Sequence, residues 1–596
     1  MRTLSLIAAL ALGALAACGA SPAPKVPTNV APPVPPSLAS SDVDAALLAM
    51  WRDKGITQSA RADDATWLRR VYLDVIGTLP TPEKVTTFVA DTTPDKRSKL
   101  VDELLASPAY ADHWMAYWDD VLMGDVKAGD IDRQAFRVWL HEQLQKNVPW
   151  DKLVYALVTA TGKNSAGGEY GRTLAQTEAQ IASDPSIDGA VNYVLKYRDN
   201  PQDMAGATSK VFLGVQIQCA QCHDHKTEKW KQADFRSFAS CFLRTQLVPL
   251  GDKGMKGIRP IEVRDLDHPA PRFNKNADIT PIAQSTPTAL DGTQVTGNTR
   301  QTIAAWITKN PWFAEEIANR MWGHFLGRGF TNPVDDVRAT NPPDAPELMK
   351  RIAKDFTEHG SDLKRLMRLI TQTEAYQLSA VPRTGSNGKE EIALWSQFRM
   401  TPLGPAELVN ALIAATGTQR ALEKLTRADI DDVRMRLTQL FSFVFDVDEE
   451  MDTPRYEGTL TQALVLLNGK LVAGGSSAAP LTAVNAIAQS KATDEQKVEA
   501  IYLRSLSRKP SAGELKAALA YIASATISPP PSGEPAQPDP TKKPKKGDKP
   551  LGKPGNLGND PTARIDPASR TQDPRVAALE DIMWATLNSS EFVFNH

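Results

Sequence analysis

Two cysteines and two histidines stand close enough together in this sequence to share one chemical task. They are Cys219, Cys222, His223 and His225, within the run 211–230, VFLGVQIQCAQCHDHKTEKW. The spacing C-x-x-C-H is the one that attaches a c-type haem through two thioethers. It predicts that Cys219 and Cys222 hold the porphyrin and that His223 is the proximal ligand of the iron.

Two other interpretations of the same residues remain open. In one, Cys219, Cys222, His223 and His225 ligate zinc, copper or iron without haem, since a haem motif has no need of a second histidine. Zinc sites, however, usually draw two pairs of ligands from separated segments. In the other, no cofactor is bound, and a structural disulfide joins Cys219 to Cys222 or one of them to Cys241. The protein would then be a non-enzymatic envelope scaffold or binding protein.

A sixth haem ligand has no clear motif in the sequence. Met255 and His268 are candidates in a weakly periodic region, and His113 is a candidate distal haem or metal ligand on an aromatic helix. For His113 we favour the simpler interpretation, a buried histidine with a satisfied hydrogen bond. The sixth position is otherwise left open for a small ligand.

A second polar group lies later in the chain and consists of Arg320, His324, Asp335, Asp336 and Arg338. It fits a carboxylate–histidine site for hydrolysis or metal binding. It also fits a buried ion-pair network in which arginine forks hold aspartates, and this structural interpretation is favoured. Neither interpretation assigns a reaction, so whether the protein is an enzyme stays undecided.

The N-terminal residues predict export. Arg2 precedes an apolar run at 4–15, which ends in Leu-Ala-Ala-Cys at Cys18. This pattern is typical of a bacterial lipoprotein signal, with residues 1–17 removed and lipid added to Cys18. Residues 18–41, rich in Pro and Ala, then form a semi-extended tether. We therefore expect a membrane-anchored lipoprotein of the bacterial cell envelope, periplasmic or surface-facing.

Export and the cysteine motif support each other, because c-type haem attachment belongs to the same oxidising side of the membrane as disulfides. The charge is nearly balanced, with 68 basic and 70 acidic residues, which argues against a nucleic-acid partner. The expected partners are the membrane, through the lipid on Cys18, and an electron-transfer or other envelope protein.

The elements that must position these residues are helices. Apolar residues recur at helical spacing from residue 41 onward, with short loops and no β-α-β alternation. We predict a mainly α protein with a first helical domain, which carries the C-x-x-C-H motif, over 42–243, an irregular connecting region over 244–298 and a second helical domain over 299–596. The connecting region is Pro- and Gly-rich and carries little β structure, for example at 258–263.

Two local expectations bear on the site and the domain boundaries. A helix over 203–218 is predicted to run directly into Cys219, which would place Cys219 and Cys222 one turn apart on one helical face. Residues 528–562 are Pro- and Lys-rich and cannot bury enough apolar surface to fold. They are predicted to form a disordered insertion within the second domain.

Long segments of the chain also resemble one family. The run 212–230, together with 68–91 and 99–114, is similar to the first of two paired domains in large exported proteins of planctomycete type. Segments 322–343, 363–379 and 578–596 resemble the second domain. Lys226 stands where that family usually has proline. The resemblance implies paired domains of unknown function, the first described as cytochrome-like, and it implies no reaction.

Overall fold

Helices make up most of the chain. The computed structural model describes residues 37–124, 130–165, 174–198, 200–251, 260–270, 279–386, 388–419, 430, 433–438, 470–525, 571 and 573–596. All of them belong to one compact unit, Ser37–His596. The prediction of a mainly α protein with little β structure is confirmed.

The first eleven helices precede the second predicted domain. They are α1 Ser40–Asp53, α2 Asp64–Ile76, α3 Pro82–Ala90, α4 Lys96–Ala106, α5 Pro108–Met123, α6 Arg133–Gln145, α7 Trp150–Thr159, α8 Leu174–Ser183, α9 Val191–Leu195, α10 Pro201–Leu213 and α11 Gln232–Ala239. Their starts follow capping chemistry that is legible in the sequence. The Asp63 carboxylate accepts from the Thr66 amide at the start of α2, and the Ser107 hydroxyl accepts from the Ala109 amide at the start of α5.

The remaining helices begin with α12, which lies in the connecting region. They are α12 Thr280–Ala283, α13 Thr299–Ile307, α14 Pro311–Leu326, α15 Pro346–Glu358, α16 Leu363–Thr371, α17 Glu374–Gln377, α18 Lys389–Ala393, α19 Pro405–Thr416, α20 Lys470–Ser476, α21 Ala483–Gln489, α22 Asp494–Ser505, α23 Ala512–Ser524, α24 Pro574–Leu587 and α25 Ser590–Val593. Among the described residues, none of the helices is both long and apolar enough to cross a membrane.

The strands are few and antiparallel. In one sheet, β3 (Ile261–Asp265) lies between β1 (Gly162–Lys163) and β2 (Thr245–Pro249), with Leu247 opposite Val263. The strand expected near 258–263 is thus present, three residues later than predicted at its start. A second sheet pairs β4 (Thr401–Pro402) with β5 (Phe594–Asn595).

Two hydrophobic cores hold the helices together, and α2 takes part in both. The first core contains apolar residues from α1 to α17, so it joins both predicted domains; the rings of Trp114 and Phe325, for example, lie 5.9 Å apart. The second core consists mainly of α19 to α25. Leu68 of α2 belongs to the first core and Leu73 to the second. Burial on both sides makes α2 the element on which the two cores meet.

The predicted helix that runs into Cys219 is wrong in its extent. Helix α10 ends at Leu213, because Gly214 adopts the left-handed conformation with φ 66° and its amide donates to Lys210. The Val215 amide then donates to the Ser209 carbonyl, which closes the end of the helix. Cys219 instead lies in the short 3₁₀ turn Gln218–Gln221, and Cys222 follows it.

Several predicted features lie outside the described residues. These are the predicted signal at 1–17, Cys18 and most of the tether, Met255 and the insertion at 528–562.

Candidate functional site

The two thiols of the C-x-x-C-H motif lie at the protein surface. Cys219 and Cys222 are exposed and free, whereas Ala220 between them is fully buried and fixes the 3₁₀ turn to the core. The side chain of Gln218 packs over Gly206 of α10, where a Cβ atom would lie 2.4 Å from it. The turn is thus folded back onto α10 with both sulfur atoms accessible.

The geometry of His223 determines which of its nitrogens can act as a ligand. Its Nδ1 lies 2.7 Å from the Asp224 carbonyl oxygen. A carbonyl can only accept, so Nδ1 carries the hydrogen and Nε2 keeps its lone pair. Imidazole ligands of metals commonly have this arrangement, in which a backbone carbonyl orients the ring through the opposite nitrogen. The exposed His223 ring is therefore in the tautomer that a metal-ligating Nε2 requires.

His225 is engaged differently. Its Nδ1 accepts from the Thr227 and Glu228 amides at 3.2 and 3.1 Å, so its hydrogen is on Nε2. Its own amide donates to the Trp230 carbonyl at 2.8 Å. This imidazole stabilises the residues that follow the motif. We call residues 219–230, closed by these bonds, the motif turn.

The four motif side chains do not form a preorganised metal site. Within the part of the chain that the structure describes, no three or more His, Cys, Asp or Glu side chains are grouped so that they could hold a metal ion.

Cys241, the candidate disulfide partner, is free and fully buried just after α11, and its Sγ donates weakly to the Ser237 carbonyl. Burial raises the pKa of this thiol to about 12.

Gln232, which the sequence alone did not single out, holds the motif turn from its C-terminal side. Its side-chain amide donates to the Cys222 carbonyl at 2.8 Å and to the Gln221 carbonyl at 3.2 Å. Its backbone amide donates to the Asp224 carboxylate at 2.8 Å. Asp224 is thus fixed at its side chain by Gln232 while its carbonyl orients His223.

The second predicted domain also contacts the motif turn. The Trp230 ring packs edge-on against Trp312 of α14, with centroids 6.3 Å apart. The Lys229 ammonium lies over both rings, at 4.6 and 5.5 Å from their centroids. The Thr340 hydroxyl lies 3.4 Å from the Glu228 carboxylate. The motif turn therefore lies where residues of the two predicted domains meet.

The later polar group separates into two parts. Arg320 is buried and contacts Glu316 at 2.9 Å and Asp335 at 3.5 Å, and Arg338 contacts Asp336 at 3.1 Å. These contacts fit the ion-pair interpretation. The Val337 amide, beside them, donates to the Gly214 carbonyl at 2.9 Å. The network therefore fixes a loop of the second domain against the end of α10.

His324 belongs to a different cluster, which includes His113. Its ring packs on Trp114 and Tyr117 at 4.8 and 4.9 Å, and its centroid lies 6.4 Å from that of His113. His113 Nδ1 lies 3.6 Å from Glu407 Oε1, and its side chain is 2% exposed. Burial lowers the pKa of each histidine to about 4, and the nearby Asp74 backbone carbonyl opposes this shift. The structural interpretation of His113 is thus supported.

Asp74 is the centre of this cluster. Its carboxylate accepts from the Tyr376 hydroxyl at 2.5 Å and from the Asn595 amide at 2.6 Å. Burial raises its pKa to about 7 and also raises the pKa of Glu407. We call these residues, with His113 and His324, the Asp74 cluster. Its members come from distant parts of the sequence, and no local pattern could have grouped them.

His268 is exposed, and its Nδ1 lies 3.0 Å from the Pro269 carbonyl. Its proposed role as a sixth ligand stays a prediction.

Two family models match separate segments of the chain. Residues 42–247 match a family model named PSCyt2, described as a protein of unknown function (DUF1549). Residues 299–425 match a second, named PSD1 and described as a protein of unknown function (DUF1553). No curated protein and no solved structure matches the chain. The resemblance to proteins with these paired domains is confirmed.

Proposed function

We propose that this chain, which carries the paired DUF1549 and DUF1553 domains, is an envelope lipoprotein with one c-type haem at Cys219, Cys222 and His223. The observation that carries the proposal is the hydrogen bond from His223 Nδ1 to the Asp224 carbonyl, which leaves Nε2 as the available ligand. The two exposed, free thiols beside it supply the attachment points. Attachment of the haem requires no other side chain of the motif turn.

Each residue has a defined role in this proposal. The thiols of Cys219 and Cys222 would hold the porphyrin through two thioether bonds, each formed by addition of S–H across a vinyl group. His223 Nε2 would be the iron ligand, and the Asp224 carbonyl orients its ring. When bound, the haem supplies one-electron exchange. The natural partner is an electron-transfer protein of the envelope.

The position of His225 favours haem over a metal site made of all four residues. Both of its nitrogens are accounted for, Nδ1 as an acceptor of two amides and Nε2 as the carrier of the hydrogen. Coordination through Nδ1 would leave the Thr227 and Glu228 amides without their acceptor. A haem needs only the other three residues, so it leaves the motif turn intact.

The proposed location is the cell envelope, with lipid on Cys18 and a tether to the folded unit. The sequence pattern before Cys18 supports export, and export matches the compartment in which thioether attachment takes place. Labelling with radioactive palmitate tests this part by itself: the wild-type protein should be labelled and Cys18→Ser should not. Label retained in that variant would overturn the lipidation.

The haem is tested by expressing the protein with a haem-maturation system and staining denatured gels for covalent haem. The wild-type protein should stain and show a sharp α-band on reduction. Cys222→Ser removes one of the two attachment points, so its covalent haem stain should be weaker or absent. The matched control is Cys241→Ser, whose buried thiol lies outside the motif and should leave the stain unchanged. Wild-type protein without haem, but with stoichiometric metal, would favour the metal site. Absence of both would favour the scaffold.

A further inference from the structure

We propose that Trp312 of the second domain is a positioning residue for the haem-attachment turn, and this rests on the function proposed above. The motif turn lies in the DUF1549 region, and Trp312 lies in the DUF1553 region. The second domain would thus complete a site whose attachment residues all belong to the first. Neither family description assigns such a role.

The first step of the argument is the anchoring of Trp230. Its side chain is buried, and its ring is nearly perpendicular to that of Trp312 near the start of α14, with an angle of 87° between the planes. The Lys229 ammonium lies over both rings and adds a cation–π contact. Trp230 is therefore held by a residue more than 80 positions further along the chain, and not only by its neighbours in sequence.

The second step leads from Trp230 back to the motif. The Trp230 carbonyl accepts from the His225 amide, and the His225 ring accepts from the amides of Thr227 and Glu228. The Glu228 carboxylate in turn lies beside the Thr340 hydroxyl of the second domain. Two points of the motif turn are thus fixed from the second domain.

The third step connects the turn to the proximal ligand. Gln232, two residues after Trp230, donates to the Cys222 carbonyl and to the Asp224 carboxylate. The Asp224 carbonyl orients His223. Loss of the Trp230 anchor would therefore loosen Gln232 and, through Asp224, the His223 ring. Orientation and hydrogen bonding of an axial histidine tune the reduction potential of the iron.

The first measurement needs no haem. Hydrogen exchange of the full chain, produced without the maturation system, should be at least about fivefold faster in peptides covering 222–232 of Trp312→Leu than in wild type. Trp312→Phe keeps an aromatic ring and should restore most of the protection. The matched control is Trp306→Leu, since Trp306 also lies in the second domain but donates to Asp291 instead.

Exchange in α22 to α24 of the second core serves as the internal reference for global unfolding. If Trp312→Leu fails to fold, Thr340→Val tests the same turn, since it removes a single hydroxyl next to Glu228. If Trp312→Leu folds, unchanged exchange at 222–232 in that variant would overturn the inference. If it does not fold, unchanged exchange at 222–232 in Thr340→Val would do so.

The second measurement uses the haem-loaded protein. Trp312→Leu should shift the midpoint potential, Trp312→Phe should return it toward wild type, and Trp306→Leu should leave it unchanged. An unchanged potential with faster exchange would limit Trp312 to a structural role and reject the positioning role. Absence of haem from the wild-type protein would reject the proposed function, while the exchange result would still test the anchoring.

Discussion

The imidazoles of His113 and His324 lie next to each other in the Asp74 cluster, with their ring centroids 6.4 Å apart. Both rings also pack on Trp114, at centroid distances of 5.4 and 4.8 Å. His113 comes from α5 and His324 from α14, so helices from the two segments that match family models pack against each other here. His113 Nε2 is buried without a hydrogen-bond partner, and Nδ1 lies 3.6 Å from Glu407 Oε1.

Gly77 should not tolerate a side chain, because the His113 ring packs directly against it. It has φ +65°, and a Cβ atom there would lie 2.4 Å from His113 Nδ1. Gly55 is a matched control, with φ +67° and nothing within 4 Å of its Cβ position. Alanine at either position should cost about 1–2 kcal/mol through left-handed backbone strain. Gly77→Ala should cost about 1–3 kcal/mol more through the clash with His113. Chemical unfolding measures both, and equal losses would contradict the close packing.

Acid should destabilise the protein through the two buried histidines. Burial lowers the pKa of His113 and His324 from 6.5 in the unfolded chain to about 4 in the native state. Between these values the unfolded chain binds more protons, so the free energy of unfolding falls as pH decreases from 6.5 to 4. Each histidine contributes on the order of 3 kcal/mol to this loss.

The variant His324→Gln should flatten that acid limb in unfolding curves at pH 7, 6 and 5. The exposed His268→Gln is the control and should follow the wild-type protein. Parallel curves for His324→Gln and wild type would show that His324 does not titrate as a buried neutral group.

The buried Asp74 carboxyl should give the opposite pH dependence to the two histidines, because it stabilises the protein at low pH and not at high pH. Burial raises its pKa from 3.8 to about 7, so the native state binds more protons than the unfolded chain between these values. Its contribution is fully present below pH 3.8 and is lost as pH rises through about 7. Asp74→Asn should therefore be stabilised relative to wild type progressively from pH 4 to 8. Asp267→Asn, at an exposed position, should show no such trend. A constant difference for Asp74→Asn across this range would reject the buried, protonated carboxyl.

His225 and His223 should differ sharply when substituted. His225→Ala removes the acceptor of two amides and should speed hydrogen exchange at 225–230, yet leave covalent haem in place. His223→Ala should keep the thioethers but alter the absorption spectrum, because the proximal ligand is lost. Loss of the bound group in His225→Ala, with normal folding, would favour the four-residue metal site instead.

Helix boundaries were the most predictable part of the fold, because capping is local chemistry. Asp63, Ser107 and the Thr81-Pro82 pair stand at the starts of helices, and Gly327 in the left-handed conformation ends α14; all are residue types that favour these positions. The end of α10 was missed although Gly214 signals it. Val215 and Ile217 continue the apolar pattern beyond the glycine, so the periodicity predicts a longer helix than the glycine does. The helix ends at the glycine.

The motif could be located from its spacing, but its surroundings could not. The contact of Trp230 with Trp312 and the grouping of His113, His324 and Asp74 join residues far apart in sequence, and only tertiary packing brings them together. One sequence contains no pairwise signal for such contacts. The role of His225 was also hidden, because a histidine beside a haem motif resembles a ligand until its hydrogen bonds are known.

The two arginines of α2 set a condition on the order in which the protein can fold. Arg69 donates to the Phe592 carbonyl and Arg70 to the His596 carbonyl, across 523 and 526 residues of chain. Both guanidinium groups are buried, so the full set of hydrogen bonds to Arg69 and Arg70 cannot form until residues 592–596 have left the ribosome. A chain interrupted before that point keeps the Ser505 carbonyl as an acceptor for Arg69 and the Tyr376 carbonyl for Arg70, but each buried guanidinium lacks one of its acceptors. Completion of the native contacts in the DUF1549 region thus depends on residues that are synthesised much later, even though that region is synthesised first.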